Sequence, residues 1–91
     1  MMYAVEYTRL AKKTLAKWKK SNHRLFKKAV ELLDDIMAHP RIGLGHPEPL
    51  KKGMDNTYSR HITAKDRIIY DIVDERILVT IVQLEEHYDD K

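Results

Sequence analysis

A carboxylate, Glu48, stands between two prolines in the segment Pro47-Glu48-Pro49. Each proline fixes its own φ, and Pro49 biases Glu48 toward extended geometry, so the acid is aimed in advance. A general base on a stiff loop fits this description, although an exposed acid in a proline turn is the commoner case for such a residue taken alone. Lys51 and Lys52 follow closely and could bind phosphate or form a solvated surface pair. Arg60, His61 and Arg67 fall on adjacent predicted strands, near enough to share a nucleic-acid site if the register permits. Arg67 carries the strongest signal of the three, because a guanidinium spreads its charge over phosphate oxygens; a cross-strand ion pair is the plainer reading. His87 and Tyr88 come after the last predicted strand. An imidazole can donate a proton near neutral pH and a tyrosine can stack on a base, but a tail docked on the core would also use such residues.

Together these residues supply a carboxylate, an imidazole and cations, the minimum set for RNA cleavage by the neighbouring 2′-hydroxyl. That reaction needs a base for the 2′-OH, an acid for the departing 5′-oxygen, and positive charge where the phosphorane gathers negative charge. The histidines at positions 23, 39, 46, 61 and 87 show no metal-ligand spacing, and there is no cysteine. No metal and no cofactor are expected. The missing cysteine also excludes disulfides and thiolate nucleophiles.

The elements that must position these groups follow from hydrophobic periodicity. Residues 2–7 alternate as a short strand with Tyr3, Val5 and Tyr7 on one side. Thr8 is placed to cap a helix in which Leu10, Ala11, Thr14, Leu15 and Trp18 recur at helical spacing, ending near Ser21-Asn22. Asn22 then caps a second helix whose stripe is Leu25, Phe26, Ala29, Val30, Leu33, Ile36 and Met37, and Pro40 stops it. So short a connection predicts a helical hairpin with both apolar faces on a common sheet. All three glycines and all three prolines fall within Pro40 to Gly53, which marks residues 41–56 as a long loop of the kind that carries binding or catalysis. Three strands follow, at about residues 57–63, 67–73 and 77–84, with turns at 64–66 and 74–76. Ile68, Tyr70 and Ile72 share the face toward the helices, and Arg67 and Asp71 take the other. The expected fold is α+β, β-α-α-β-β-β, an antiparallel sheet with two N-terminal helices on one face and an open, polar opposite face.

The chain has 91 residues, of which 43% are hydrophobic and 34% charged. This suits a single domain over residues 1–91 that buries about 60–65% of its unfolded surface. The net charge of +3 conceals an asymmetry: Arg9, Lys12, Lys13, Lys17, Lys19, Lys20, Arg24, Lys27 and Lys28 face only Glu6 among the first 28 residues. Such a patch attracts phosphate backbones by counterion release, or is simply a solvated helix face. There is neither an apolar run of spanning length nor a signal-like start, so no membrane is expected and a cytoplasmic location is the default.

Three segments carry a family likeness: GLGHPEPLK from Gly43 to Lys51, YSRHITAKDRIIY from Tyr58 to Tyr70, and HYDD from His87 to Asp90. In order and spacing they resemble the YoeB/Txe toxins of the RelE/ParE superfamily, found in type II toxin–antitoxin modules. The resemblance implies a RelE-like fold and an mRNA interferase, an endonuclease that cuts mRNA in the ribosomal A site, leaves a 2′,3′-cyclic phosphate and stops translation. Carried over residue by residue, Glu48 would be the general base, His87 the general acid and Tyr88 a substrate-orienting group. Arg67 and Lys51 would stabilise the phosphate, Arg60 and His61 would bind RNA, and Lys12, Lys13, Lys19 and Lys20 would touch ribosomal RNA. The implied partners are the ribosome and a YefM/Phd-like antitoxin, and family analogy admits a homodimer. His61 stands where many members carry a second arginine, and the stretch from Tyr70 to His87 is longer than in some, which lengthens the last hairpin.

A non-nucleolytic toxin of the ParE type, which blocks DNA gyrase, would share this fold. The set Glu48, Arg67, His87 and Tyr88 separates the two, because a gyrase-binding protein has no chemical need to assemble it.

Overall fold

Thr8 turns the first strand into the first helix. Its hydroxyl accepts the Ala11 N–H at 3.1 Å as an N-cap and donates to the Val82 carbonyl at 2.6 Å, tying the helix start to the last strand. A computed structural model describes residues 2–50 and 56–85. Within it, β1 (Ala4–Tyr7) leads into α1 (Arg9–Ser21) and, after the single residue Asn22, α2 (His23–Ala38). Asn22 caps α2 by accepting the Leu25 N–H at 3.3 Å. The residue before Pro40 is driven out of the α region, and α2 ends at Ala38 with His39 as its C-cap. Then come β2 (Glu48–Pro49), β3 (Thr57–His61), β4 (Arg67–Val73), a 3-10 turn (Asp74–Arg76) and β5 (Leu78–Glu85).

Five strands form one sheet in the order β1-β5-β4-β3-β2. This corrects the fully antiparallel expectation in two ways. The proline segment contributes an extra edge strand, β2, and β1 pairs parallel with β5, so the sheet is mixed. Strands β2 to β5 pair antiparallel in succession, as the short turns after β3 and β4 require of the last three. The β1–β5 pair joins opposite ends of the chain, and no local pattern encodes its direction.

Both helices lie on one face. Ala11, Trp18, Leu25, Ala29, Leu32, Leu33 and Ile36 pack against Ile62, Ile68, Tyr70, Ile72, Val79, Ile81 and Leu84, all buried. Each fully buried aliphatic side chain stabilises the fold by about 1.5–3 kcal/mol. Leu10 and Val30, expected in the apolar stripes, are 52% and 36% exposed and sit at the margins of their helices. Between Ile81 and Leu84 the two-residue alternation of β5 breaks. The ladder pairs Ile69 with Gln83 but Tyr70 with Ile81, which leaves Val82 as a bulge and returns Leu84 to the core. No helix among the described residues is long and apolar enough to cross a membrane.

Candidate active site

Directly paired residues in a ladder project to the same side, so the register alone defines the face opposite the helices. Glu48 pairs with Ser59, Ser59 with Ile69, and Ile69 with Gln83, a row running across four strands. The next row joins His61 to Arg67. Glu48, Ser59, His61, Arg67 and Gln83 therefore share one surface. From strand spacing and rise, the Cα atoms of Glu48 and Arg67 are about 12 Å apart, within reach of two long side chains and a phosphate between them. Ser59 lies in the interval: its hydroxyl, in a residue 2% exposed, accepts a long 3.4 Å hydrogen bond from Arg67 Nη1. The parity of Arg67, Ile68, Tyr70 and Ile72 is as the sequence implies. Ser59 and Gln83 were not singled out there, although the alternation Thr57, Ser59, His61 puts Ser59 between the two groups of interest.

Arg60 is the correction. Adjacent residues of a strand point to opposite faces, so Arg60 cannot join both His61 and Arg67. It pairs with Ile68 on the helix side and is 0% exposed. Nε donates to Tyr70 Oη at 2.9 Å; Nη1 donates to Asp35 Oδ2 at 2.6 Å and to the Leu44 carbonyl at 3.1 Å. Nη2 donates to the Ile42 carbonyl at 2.9 Å and to the carbonyl of His39. These bonds use all five guanidinium N–H groups. Arg60 has no donor left for an RNA phosphate.

Around that guanidinium the loop from His39 to Gly45 is wound. Tyr70 Oη, whose burial raises its pKa against the opposing influence of Arg60, stays protonated and donates to the Pro40 carbonyl at 2.7 Å. Burial resists ionisation of Asp35, but hydrogen bonds from Arg60 and from the Leu44 N–H at 3.0 Å prevail and hold its carboxyl below the usual range. Gly43 has φ +120°, and a Cβ there would lie 2.1 Å from Asp35 Oδ2. Gly45 has φ +78°, and a Cβ there would lie 2.6 Å from the His61 carbonyl; its own carbonyl accepts the His61 N–H at 2.7 Å. The chain leaves this knot through His46 at φ 55° and enters β2, where Glu48 is exposed opposite Ser59. At the loop's start Arg41 makes a bidentate pair with Asp74, at 2.9 and 3.1 Å, and Tyr3 donates to the same carboxylate at 2.8 Å. Those bonds, from Arg41 first and Tyr3 second, depress the Asp74 pKa.

Lys51, His87 and Tyr88 lie outside the described residues. Lys12, Lys13, Lys19 and Lys20 are exposed on α1, in the helical layer and not on the Glu48–Arg67 face. Two clefts among the described residues run beside α2. One, of about 320 Å³, is lined by Asn22, Arg24, Leu25, Lys28, Thr63 and Asp66; the other, of about 220 Å³, borders Lys28, Leu44 and His61.

Comparison with known proteins agrees with this architecture. The family model for the YoeB-like toxin of bacterial type II toxin–antitoxin systems matches residues 7–88. Toxin YoeB of Escherichia coli (strain K12) is 37% identical over 62 residues, covering 68% of this chain and 74% of its own. Among solved structures, the YoeB/ParE toxin from Agrobacterium tumefaciens superposes with a TM-score of 0.84 at 29% identity, over 93% of this chain and 99% of its own. YoeB from Staphylococcus aureus, solved as a dimer, gives 0.82 at 26% identity, and in complex with YefM 0.80 at 27%, each over 97% of this chain and 100% of that one. A two-helix, five-strand α+β domain of this kind is a toxin fold. The chain belongs to the YoeB-like toxins of bacterial type II toxin–antitoxin systems.

Proposed function

We propose that this toxin is a ribosome-dependent endoribonuclease that cleaves mRNA in the A site. The observation that supports it best is the strand register, which gathers Glu48, Ser59, His61 and Arg67 on the sheet face opposite the helices. On this reading Glu48 takes the proton from the 2′-hydroxyl, and the 2′-oxygen attacks the adjacent phosphorus. The bond to the 5′-oxygen breaks, leaving a 2′,3′-cyclic phosphate, and His87 protonates the leaving oxygen. Arg67, with Lys51, balances the charge on the phosphorane, His61 binds the neighbouring backbone, and Tyr88 orients a base. No cofactor has a part in it. The lysines of α1 contact ribosomal RNA from the helical side while the sheet face meets the mRNA. A YefM-like antitoxin and a second copy of the chain are the proposed protein partners, in the cytoplasm, by analogy with the Staphylococcus aureus complex and dimer.

The test is primer extension on mRNA held in purified 70S ribosomes, comparing the natural protein with Glu48→Gln and His87→Ala. A new stop within the A-site codon, lost in both variants, is the expected result. A toxic protein that produces no stop would overturn the reading in favour of a gyrase-directed toxin.

A further inference from the structure

We propose that Arg60 is a positioning residue for catalysis, holding the loop from His39 to Gly45 in the single shape that delivers Glu48 to the face it shares with Arg67; this rests on the reading of Glu48 as the general base. Strand β2 is only two residues long and contains Pro49, which has no N–H to donate. Such a strand, continued by one backbone bond from the Leu50 N–H to the Thr57 carbonyl at 2.8 Å, is weakly held by its own ladder. What precedes it is better held: the carbonyls of His39, Ile42 and Leu44 accept directly from the Arg60 guanidinium, and that of Pro40 from Tyr70, which Arg60 itself contacts. Asp35 completes the ring by binding both Arg60 and the Leu44 N–H.

A planar fork with five donors can hold three carbonyls of a loop together with Asp35 and Tyr70, whereas a lysine has three donors on a flexible stem and no plane. One residue along, His61 offers its N–H to Gly45 on the same strand that faces Glu48. The anchor and the surface it serves are therefore consecutive residues of β3. A base displaced by about 1 Å costs on the order of 100-fold in rate.

Single-turnover cleavage of ribosome-bound mRNA by Arg60→Lys and Tyr70→Phe, with Ile36→Val as a core control and amide hydrogen exchange read at Leu44 and His61, tests this. The expected result is a rate about 100-fold lower for Arg60→Lys and a smaller loss for Tyr70→Phe. Ribosome affinity should stay within about twofold, exchange at Leu44 and His61 should quicken, and Ile36→Val should cleave normally. Because Arg60 acts through Glu48, Arg60→Lys should add nothing to Glu48→Gln. Should Glu48→Gln cleave slowly while Arg60→Lys and Tyr70→Phe cleave normally, positioning is overturned and the base reading stands. Should the Arg60 loss multiply in full with that of Glu48→Gln, Arg60 acts elsewhere and positioning is again overturned. Full activity in Glu48→Gln removes the base reading, and this proposal with it.

Discussion

His61 stands directly across the β3–β4 ladder from Arg67, while Arg60, its neighbour in sequence, faces Ile68 on the other side of the sheet. Two adjacent basic-type residues thus divide the work: one belongs to the surface and the other to the framework beneath it.

Arg67→Ala should lower the single-turnover cleavage rate by about 100- to 1,000-fold, the usual loss when a donor to a developing anion is removed. Binding to ribosomes should change little, since the residue is one cation among many. Quench-flow cleavage alongside a ribosome-pelleting assay checks both halves; equal losses in rate and binding would assign Arg67 to docking instead.

Gly43→Ala should destabilise the fold by about 1–3 kcal/mol, because an L-residue is strained at that φ and its Cβ would meet Asp35. For a domain of this size each kcal/mol lowers Tm by about 4–8 °C, which calorimetry resolves. Unchanged Tm would mean that the loop can take a second shape.

Asp35 links stability to acid. Its folded pKa lies below the ordinary value of 3.8, so its pairing contributes fully above the unfolded pKa and is lost as pH falls through the lower, folded pKa. Asp35→Asn should therefore be less stable than the natural protein at pH 6, and the difference should narrow as pH is lowered through the carboxylate range. Urea melts at several pH values measure it. A difference that stays constant down to pH 2 would show that the charge of Asp35 contributes nothing.

Much of this was legible in the sequence. Thr8 and Asn22 announce the helix starts, Pro40 the stop, and the run Ile68, Tyr70, Ile72 the face of β4 from which Arg67 projects away. Residue type and parity conflict at Arg60: an arginine suggests a surface cation, but Tyr58, Arg60 and Ile62 alternate toward the core, and parity prevails. The β1–β5 pairing left no local trace. The bulge left one, the three-residue step from Ile81 to Leu84, which is recognisable once the strand is known to be continuous.

The loop before Glu48 is held by main-chain atoms. Arg60 and Tyr70 address the carbonyls of His39, Pro40, Ile42 and Leu44, while the side chains of Ile42 and Leu44 point outward, 67% and 56% exposed. Shape and outward chemistry are thereby uncoupled. Apart from the glycines, mutation can rewrite what this loop shows to the outside without rewriting where it leads. A lineage of such toxins could change which molecules it meets at this rim while its reactive carboxylate stays in place.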